Sequence, residues 1–129
     1  MLAIDTNLVV RYLTGDHPKQ SVRARKLIDA GDIFVGITVM LEAEWVLRSV
    51  YGYQPKDVCG ALRAFAGLPG LAVEDEALVA TALARVERGM DFADALHLGK
   101  AGHCEAMVTF GRKFIKAAKA VGVETVREA

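Results

Sequence analysis

Short apolar runs alternate along the chain with longer stretches of helical spacing, and that alternation sets the expected order of elements. MLAID, at the very start, is a short apolar run ending on a carboxylate and reads as a first strand. Asp5, Thr6 and Asn7 are residue types that cap helices, and LVVRYL follows as a short helix. Asp16-His17-Pro18 breaks the pattern. Pro18 suits the first turn of a second helix, which runs through SVRARKLIDA and stops at Gly31. IFVG reads as the second strand. Thr38 is then expected to cap a long helix, VMLEAEWVLRSVYG, closed by Gly52.

The second half repeats the alternation. Pro55 opens a helix through CGALRAFAG, LAVE is a short strand, and EDEALVATALARVERG has acid at its start with Arg85 and Arg88 near its end, as the helix dipole favours. Asp91 begins the helical DFADALHLGKAG. AMVTF is a strand, RKFIKAAKAVG a helix, and VETV an edge strand. Strands separated by helices pair in parallel, because each crossover returns the chain in the same direction. The expected fold is α/β, a three-layer α/β/α sandwich with a central, mainly parallel sheet of four or five strands, forming a single domain over residues 1–129. Ligands bind such sheets at the strands' C-terminal ends, where Asp5 and Gly111 are both expected.

Composition narrows the possibilities without naming a chemistry. With 53% hydrophobic and 25% charged residues in 129, the chain can bury a core and is not of the disordered class. Acidic and basic residues cancel at 16 each, so any polyanion site must be a local patch. Cys59 and Cys104 lie far apart, outside any ligand spacing. Without a signal peptide they read as reduced thiols of a cytoplasmic protein. No apolar run reaches the ~20 residues that span a bilayer, which excludes a membrane helix.

Candidate chemistry rests on carboxylates, each with a structural alternative. Asp5, between a strand and a helix, is either an N-cap or a metal ligand at the active edge. Asp91 and Asp94 share one helical face, either as a variant capping box or as paired ligands whose repulsion a cation would relieve. Glu42 borders the apolar side holding Val39, Val46 and Val50. Glu44 points elsewhere, with Arg48 four residues on for an ordinary surface pair. His97 follows Asp94 by three and could approach the same cleft; His17 and His103 fall in turns. Tyr12, Trp45 and Tyr51 occupy helical positions consistent with packing, and no aromatic ladder for stacking bases is visible. Of the basic set Arg112, Lys113, Lys116 and Lys119, the first two begin beside the expected active edge.

AIDTNLVVRYL, TVMLEAEWVLRSVYG, MDFADALHLGKAG and MVTFGRKF, in this order and spanning the chain, resemble the PIN domain, in particular the toxin nucleases of the VapBC toxin–antitoxin class. The resemblance implies three or four acids binding Mg²⁺ or Mn²⁺ and cutting RNA to a 5′-phosphate and a 3′-hydroxyl. Asp5 matches the first acid, Glu42 the second through the E-x-x-W pattern with Glu44 as fallback, Asp94 the third, and Asp91 an acid often present just before it. Asn7 and Thr109 match polar residues that line the pocket, and Arg112 and Lys113 stand where substrate phosphate would pass. Where the family usually carries an aspartate after T-F or T-x, this chain has Gly111, so the expectation is a one-metal site, or a second metal bound only with substrate. The implied partners are an RNA substrate, a small VapB-type antitoxin whose C-terminal segment fills the groove, and a second copy of the chain in a homodimer. Two readings compete with the toxin nuclease. One is a catalytically weakened PIN scaffold that binds RNA or an antitoxin. The other is a receiver domain, disfavoured because no acidic pair follows strand one and no aspartate follows IFVG. An aspartyl phosphatase would need D-x-D, which Asn7 breaks.

Overall fold

The computed structural model describes residues Met1–Ala129, in two compact units that divide after Glu76. The first unit contains β1 (Leu2–Ala3), α1 (Thr6–Thr14), α2 (Pro18–Asp29), β2 (Ile33–Val35), α3 (Ile37–Ser49), α4 (Pro55–Ala66) and β3 (Leu71–Val73). Its sheet has the order β1-β2-β3, all parallel, with Leu2 opposite Ile33, and Ile33 and Val35 opposite Leu71 and Val73. Backbone bonds extend the ladder past the strand ends, from Leu2 N–H to Asp32 O at 2.9 Å and from Ile4 N–H to Phe34 O at 3.1 Å. β2 is central; its Ile33 and Val35, which share one face, are fully buried, while Phe34 on the other face is partly exposed.

The helices of this unit bury the stripes that their periodicity demands. Val9 and Val10 of α1, Ala24 and Ile28 of α2, Met40, Ala43 and Leu47 of α3, and Val58, Leu62 and Phe65 of α4 are all core residues. Tyr12 of α1 packs against Phe65 of α4, ring centroids 5.7 Å apart. One glycine is fixed by contact as well as conformation. Gly70, entering β3 at φ +72°, would place a Cβ 2.8 Å from Gly31 Cα, so two backbones meet there where no side chain fits.

The second unit, Ala77–Ala129, holds nearly all of α5 (Glu76–Glu87) together with α6 (Phe92–Lys100), β4 (Met107–Thr109), α7 (Arg112–Ala120) and β5 (Val126–Glu128). β4 and β5 pair in parallel across the α7 crossover, Met107 opposite Val126 and Thr109 opposite Glu128. Arg88 donates to Ala120 O at 2.6 Å, tying the end of α5 to the end of α7. A Cβ on Gly99 would lie 3.1 Å from Leu78 Cδ1, so this glycine lets α6 approach α5 closely.

The α/β class, the alternation of elements and the parallel pairing are as the pattern implies. The five strands, however, form a three-stranded and a two-stranded sheet. Local boundaries also differ. Thr38 does not cap α3; the N-cap is Gly36, which has no side chain to offer, and Glu74 Oε1 at the end of β3 accepts the Ile37 N–H at 2.8 Å. The helix therefore starts earlier than its own sequence suggests, because its cap comes from 37 residues away. It also ends at Ser49 rather than at Gly52. The last strand is Val126–Glu128, beyond most of VETV: the backbone turns after Gly122 (φ +82°) and pairs only where Val126 can be buried. Both cysteines are free thiols, Cys59 buried and Cys104 exposed.

Candidate metal centre

Asp5 leaves β1 with extended backbone and N-caps α1, its Oδ1 accepting the Leu8 N–H at 3.1 Å. The cap engages one carboxylate oxygen and leaves the second for another partner, so the structural and functional readings of Asp5 are compatible. Asp5, Thr6 and Asn7 line a pocket of about 320 Å³ with Thr38, Val39 and Glu42 from the first turns of α3. This pocket opens where β1 and β2 both end, the place where parallel sheets take ligands. Asp5 and Asn7 also border a larger cavity of about 510 Å³ along α1 and α2, walled by Leu8, Ala24 and Leu27 and by the polar Arg11, Gln20 and Arg23.

The two glutamates of α3 occupy opposite environments. Glu44 is 3% exposed, and its two oxygens take Arg48 Nε at 2.9 Å and Nη2 at 3.4 Å. The pairing with Arg48 is as expected, but it was expected at the surface, and Glu44 is instead buried. The buried stripe of α3 is Met40, Ala43, Glu44 and Leu47, while Trp45, expected to pack, is 53% exposed and Val50 is exposed too. α3 is apolar nearly all round, so its periodicity alone did not choose the inward face. Glu42 is exposed and lines the pocket with Asp5. Between the two, it is Glu42 that is available to a ligand.

A polar network missing from the sequence reading fixes the far end of α1. Arg11 donates to Gln20 Oε1 at 2.9 Å, to the Tyr51 hydroxyl at 3.2 Å and to Asp16 Oδ1 at 3.3 Å. Asp16 also accepts from Tyr51 at 2.6 Å and from Thr14 at 2.8 Å, and these bonds, Tyr51's foremost, hold its carboxyl below the usual aspartate value. In sequence these residues are scattered from 11 to 51, and Asp16 looks like turn punctuation. His17, read as a mere turn residue, N-caps α2 by accepting the Gln20 N–H through Nδ1 at 3.2 Å.

In the second unit Asp91 N-caps α6, its Oδ2 accepting the Asp94 N–H at 3.2 Å. Asp94 is half-buried. Burial first, and the neighbouring charge of Asp91 second, push its carboxyl above the usual value, with exposed His97 partly offsetting them. Thr109 closes β4, and its Oγ1 accepts the Gly111 N–H at 2.9 Å. Gly111 has φ −79° and ψ 100°, a backbone open to any residue, and it N-caps α7 without a side-chain bond. It is therefore not a glycine required by an unusual turn. Its added Cβ would meet Phe114 Cβ at an ordinary 3.6 Å but Thr109 Oγ1 at a tight 3.3 Å, so the threonine would have to give by a few tenths of an ångström. Arg112 and Lys113 open α7.

Nowhere are three or more His, Cys, Asp or Glu side chains gathered into a ready-made metal cage. The donor chemistry nevertheless suits a hard cation. The first pocket offers two carboxylates, two threonine hydroxyls and an asparagine carboxamide, and Mg²⁺ commonly takes only one or two carboxylates, completing its shell with water and substrate phosphate. A raised carboxyl beside a second aspartate is likewise an arrangement that a cation relieves.

A model of the PIN domain family matches residues 2–120, nearly the whole chain and both units. The chain belongs to the PIN domain family, whose members are generally metal-dependent nucleases using divalent ions such as Mg²⁺ or Mn²⁺. No curated protein gives a significant match. No helix is long and apolar enough to cross a membrane.

Proposed function

We propose that this chain is a metal-dependent endoribonuclease and the toxin of a VapBC-type pair, acting in the cytoplasm on RNA. The observation carrying the reading is the oxygen-lined pocket of Asp5, Asn7, Thr38 and Glu42 at the strand ends of a PIN-family chain. By the family's pattern Asp5, Glu42 and Asp94 hold Mg²⁺ or Mn²⁺, with Asp91 as a supporting acid. A bound cation supplies positive charge to the scissile phosphate and activates water for in-line attack. Asp5 and Glu42 contribute hard oxygen ligands, and the cap from Leu8 N–H fixes the Asp5 rotamer. Asn7 and Thr109 orient the substrate, and Arg112 and Lys113 hold its backbone phosphates. A small VapB-type antitoxin and a second copy of the chain are the protein partners of this reading.

Asp5→Asn keeps an oxygen for the cap and removes the charge. It should lower Mn²⁺-dependent cleavage of single-stranded RNA on the order of 10²-fold or more, with the fold intact by circular dichroism. Undiminished cleavage would refute the assignment. One observation favours a second reading, a weakened scaffold that mainly binds RNA or antitoxin: position 111 carries no acid, and no three-carboxylate cage is preformed. Calorimetric Mn²⁺ titration beside the cleavage assay separates the two, since the scaffold would bind RNA without metal-dependent turnover.

A further inference from the structure

Phe110 is 83% exposed, the most exposed large apolar side chain in the protein, and neither ring-to-ring contact in the structure involves it. It follows β4 directly. Two residues earlier, within β4, Val108 is also exposed, and Arg127 of β5 sits opposite it and is exposed as well. Two residues after Phe110 begins α7, where Arg112, Ile115, Lys116, Lys119 and Glu128 line a cavity of about 300 Å³. Arg112, Lys116 and Lys119 recur at helical spacing, spanning about 10 Å of helix axis. The ion pairs Met1–Asp32, Arg11–Asp16 and Arg48–Glu44 lie elsewhere and take up none of these cations. Glu128 is the single acid in the groove.

We infer that Phe110 is a stacking platform for one unpaired base of a single-stranded RNA, whose adjoining phosphates run along Arg112, Lys116 and Lys119. An aromatic face held in water has little use except to a flat partner, and base stacking on it is tolerant of sequence because every base has a π-face. A duplex hides those faces, so the chemistry selects a single strand. Three cations against one acid beside the ring favour a polyanion over an apolar protein surface. The inference rests on the ribonuclease reading and adds to it where the substrate is gripped.

The test is equilibrium binding of a fluorescein-labelled single-stranded 12-mer RNA, followed by anisotropy in metal-free buffer so that no cleavage occurs. Phe110→Ala should weaken binding about 5- to 150-fold, the effect of about 1–3 kcal/mol per stacked base, and Phe110→Trp should restore it. An oligomer abasic throughout should bind wild type and Phe110→Ala alike. Lys116→Gln with Lys119→Gln should lower the slope of log affinity against log salt by about 1.4, at ~0.7 per phosphate. Because all of these side chains are exposed or line an open groove, melting temperatures should not move. Unchanged RNA affinity in Phe110→Ala overturns the inference. If that variant instead loses self-association by light scattering, Phe110 belongs to a protein interface. Cleavage of the same RNA with Mn²⁺ separates the two levels: a wild type that cuts RNA while Phe110→Ala binds normally sinks this inference alone. A wild type that neither binds nor cuts sinks the ribonuclease reading with it.

Discussion

Glu44 holds its charge inside the first unit with both oxygens on Arg48, and burying a charge is tolerable only while its partner stays. Glu44→Ala leaves the Arg48 guanidinium without that carboxylate and opens a void. It should cost about 3 kcal/mol in chemical denaturation, the lower end of the usual range because Arg48 still reaches solvent. The same variant should leave Mn²⁺ affinity unchanged. Glu42→Gln should do the reverse, shifting stability by less than about 0.5 kcal/mol and weakening Mn²⁺ binding in calorimetry. If Glu44→Ala alone disturbed the metal, the roles of the two glutamates would be exchanged. The short motif E-x-x-W was legible and pointed to Glu42. Burial was not, because Val39, Val46 and Val50 imply one inward face of α3 and Met40, Ala43 and Leu47 imply another. Only packing against neighbouring elements decides between them.

Helix starts carry candidate residues in both units. α1 and α6 begin on aspartates whose side chains cap them, and α3 begins on a glycine capped from a distance by Glu74. α7 begins on Gly111 with no cap at all. Gly111→Asp should therefore add a few tenths of a kcal/mol as an N-cap, read as a small rise in midpoint denaturant. If position 111 faces the ion, Mn²⁺ affinity should rise as well. A gain in stability with no gain in affinity would mean that the new carboxylate only caps, and that the family alignment fails to locate a ligand there. Element order was legible because each strand and helix carries its own period, turn residues and caps. The start of α3 was not, since its cap is remote in sequence, and β5 was displaced because pairing with β4, not local propensity, fixes where it begins.

For the molecule as a whole, a proton and a metal ion are alternative ways of relieving the charge at Asp94, and each should stabilise the fold. A raised Asp94 carboxyl means that the folded chain binds this proton more tightly than the unfolded one does. Stability thus falls as pH rises from the usual aspartate value of 3.8 through the raised one, and the penalty stands in full at neutral pH. In metal-free buffer Asp94→Asn should raise the melting temperature by about 1–3 °C at pH 7, with the gain vanishing below pH 4. Saturating Mn²⁺ should stabilise the wild type, about 2.7 kcal/mol at a hundred times Kd, and Asp94→Asn should forfeit part of that. A wild type indifferent to Mn²⁺ in thermal melts would contradict the metal-centre reading. At this scale the α/β class and parallel pairing were legible from alternation. The division of strands into sheets of three and two was not, because which strands share hydrogen bonds is a long-range choice.

Gly111 has a further consequence, in the currency of mutation and descent. Its backbone is ordinary and the space for a Cβ is nearly there. Glycine codons that end in a pyrimidine differ from an aspartate codon by a single base, so from those codons the acid of the family pattern is one nucleotide away. The one neighbour that must give is Thr109 Oγ1, 3.3 Å from the new Cβ. Gain or loss of an acid at position 111 is therefore a local event that leaves the backbone of α7's first turn as it stands.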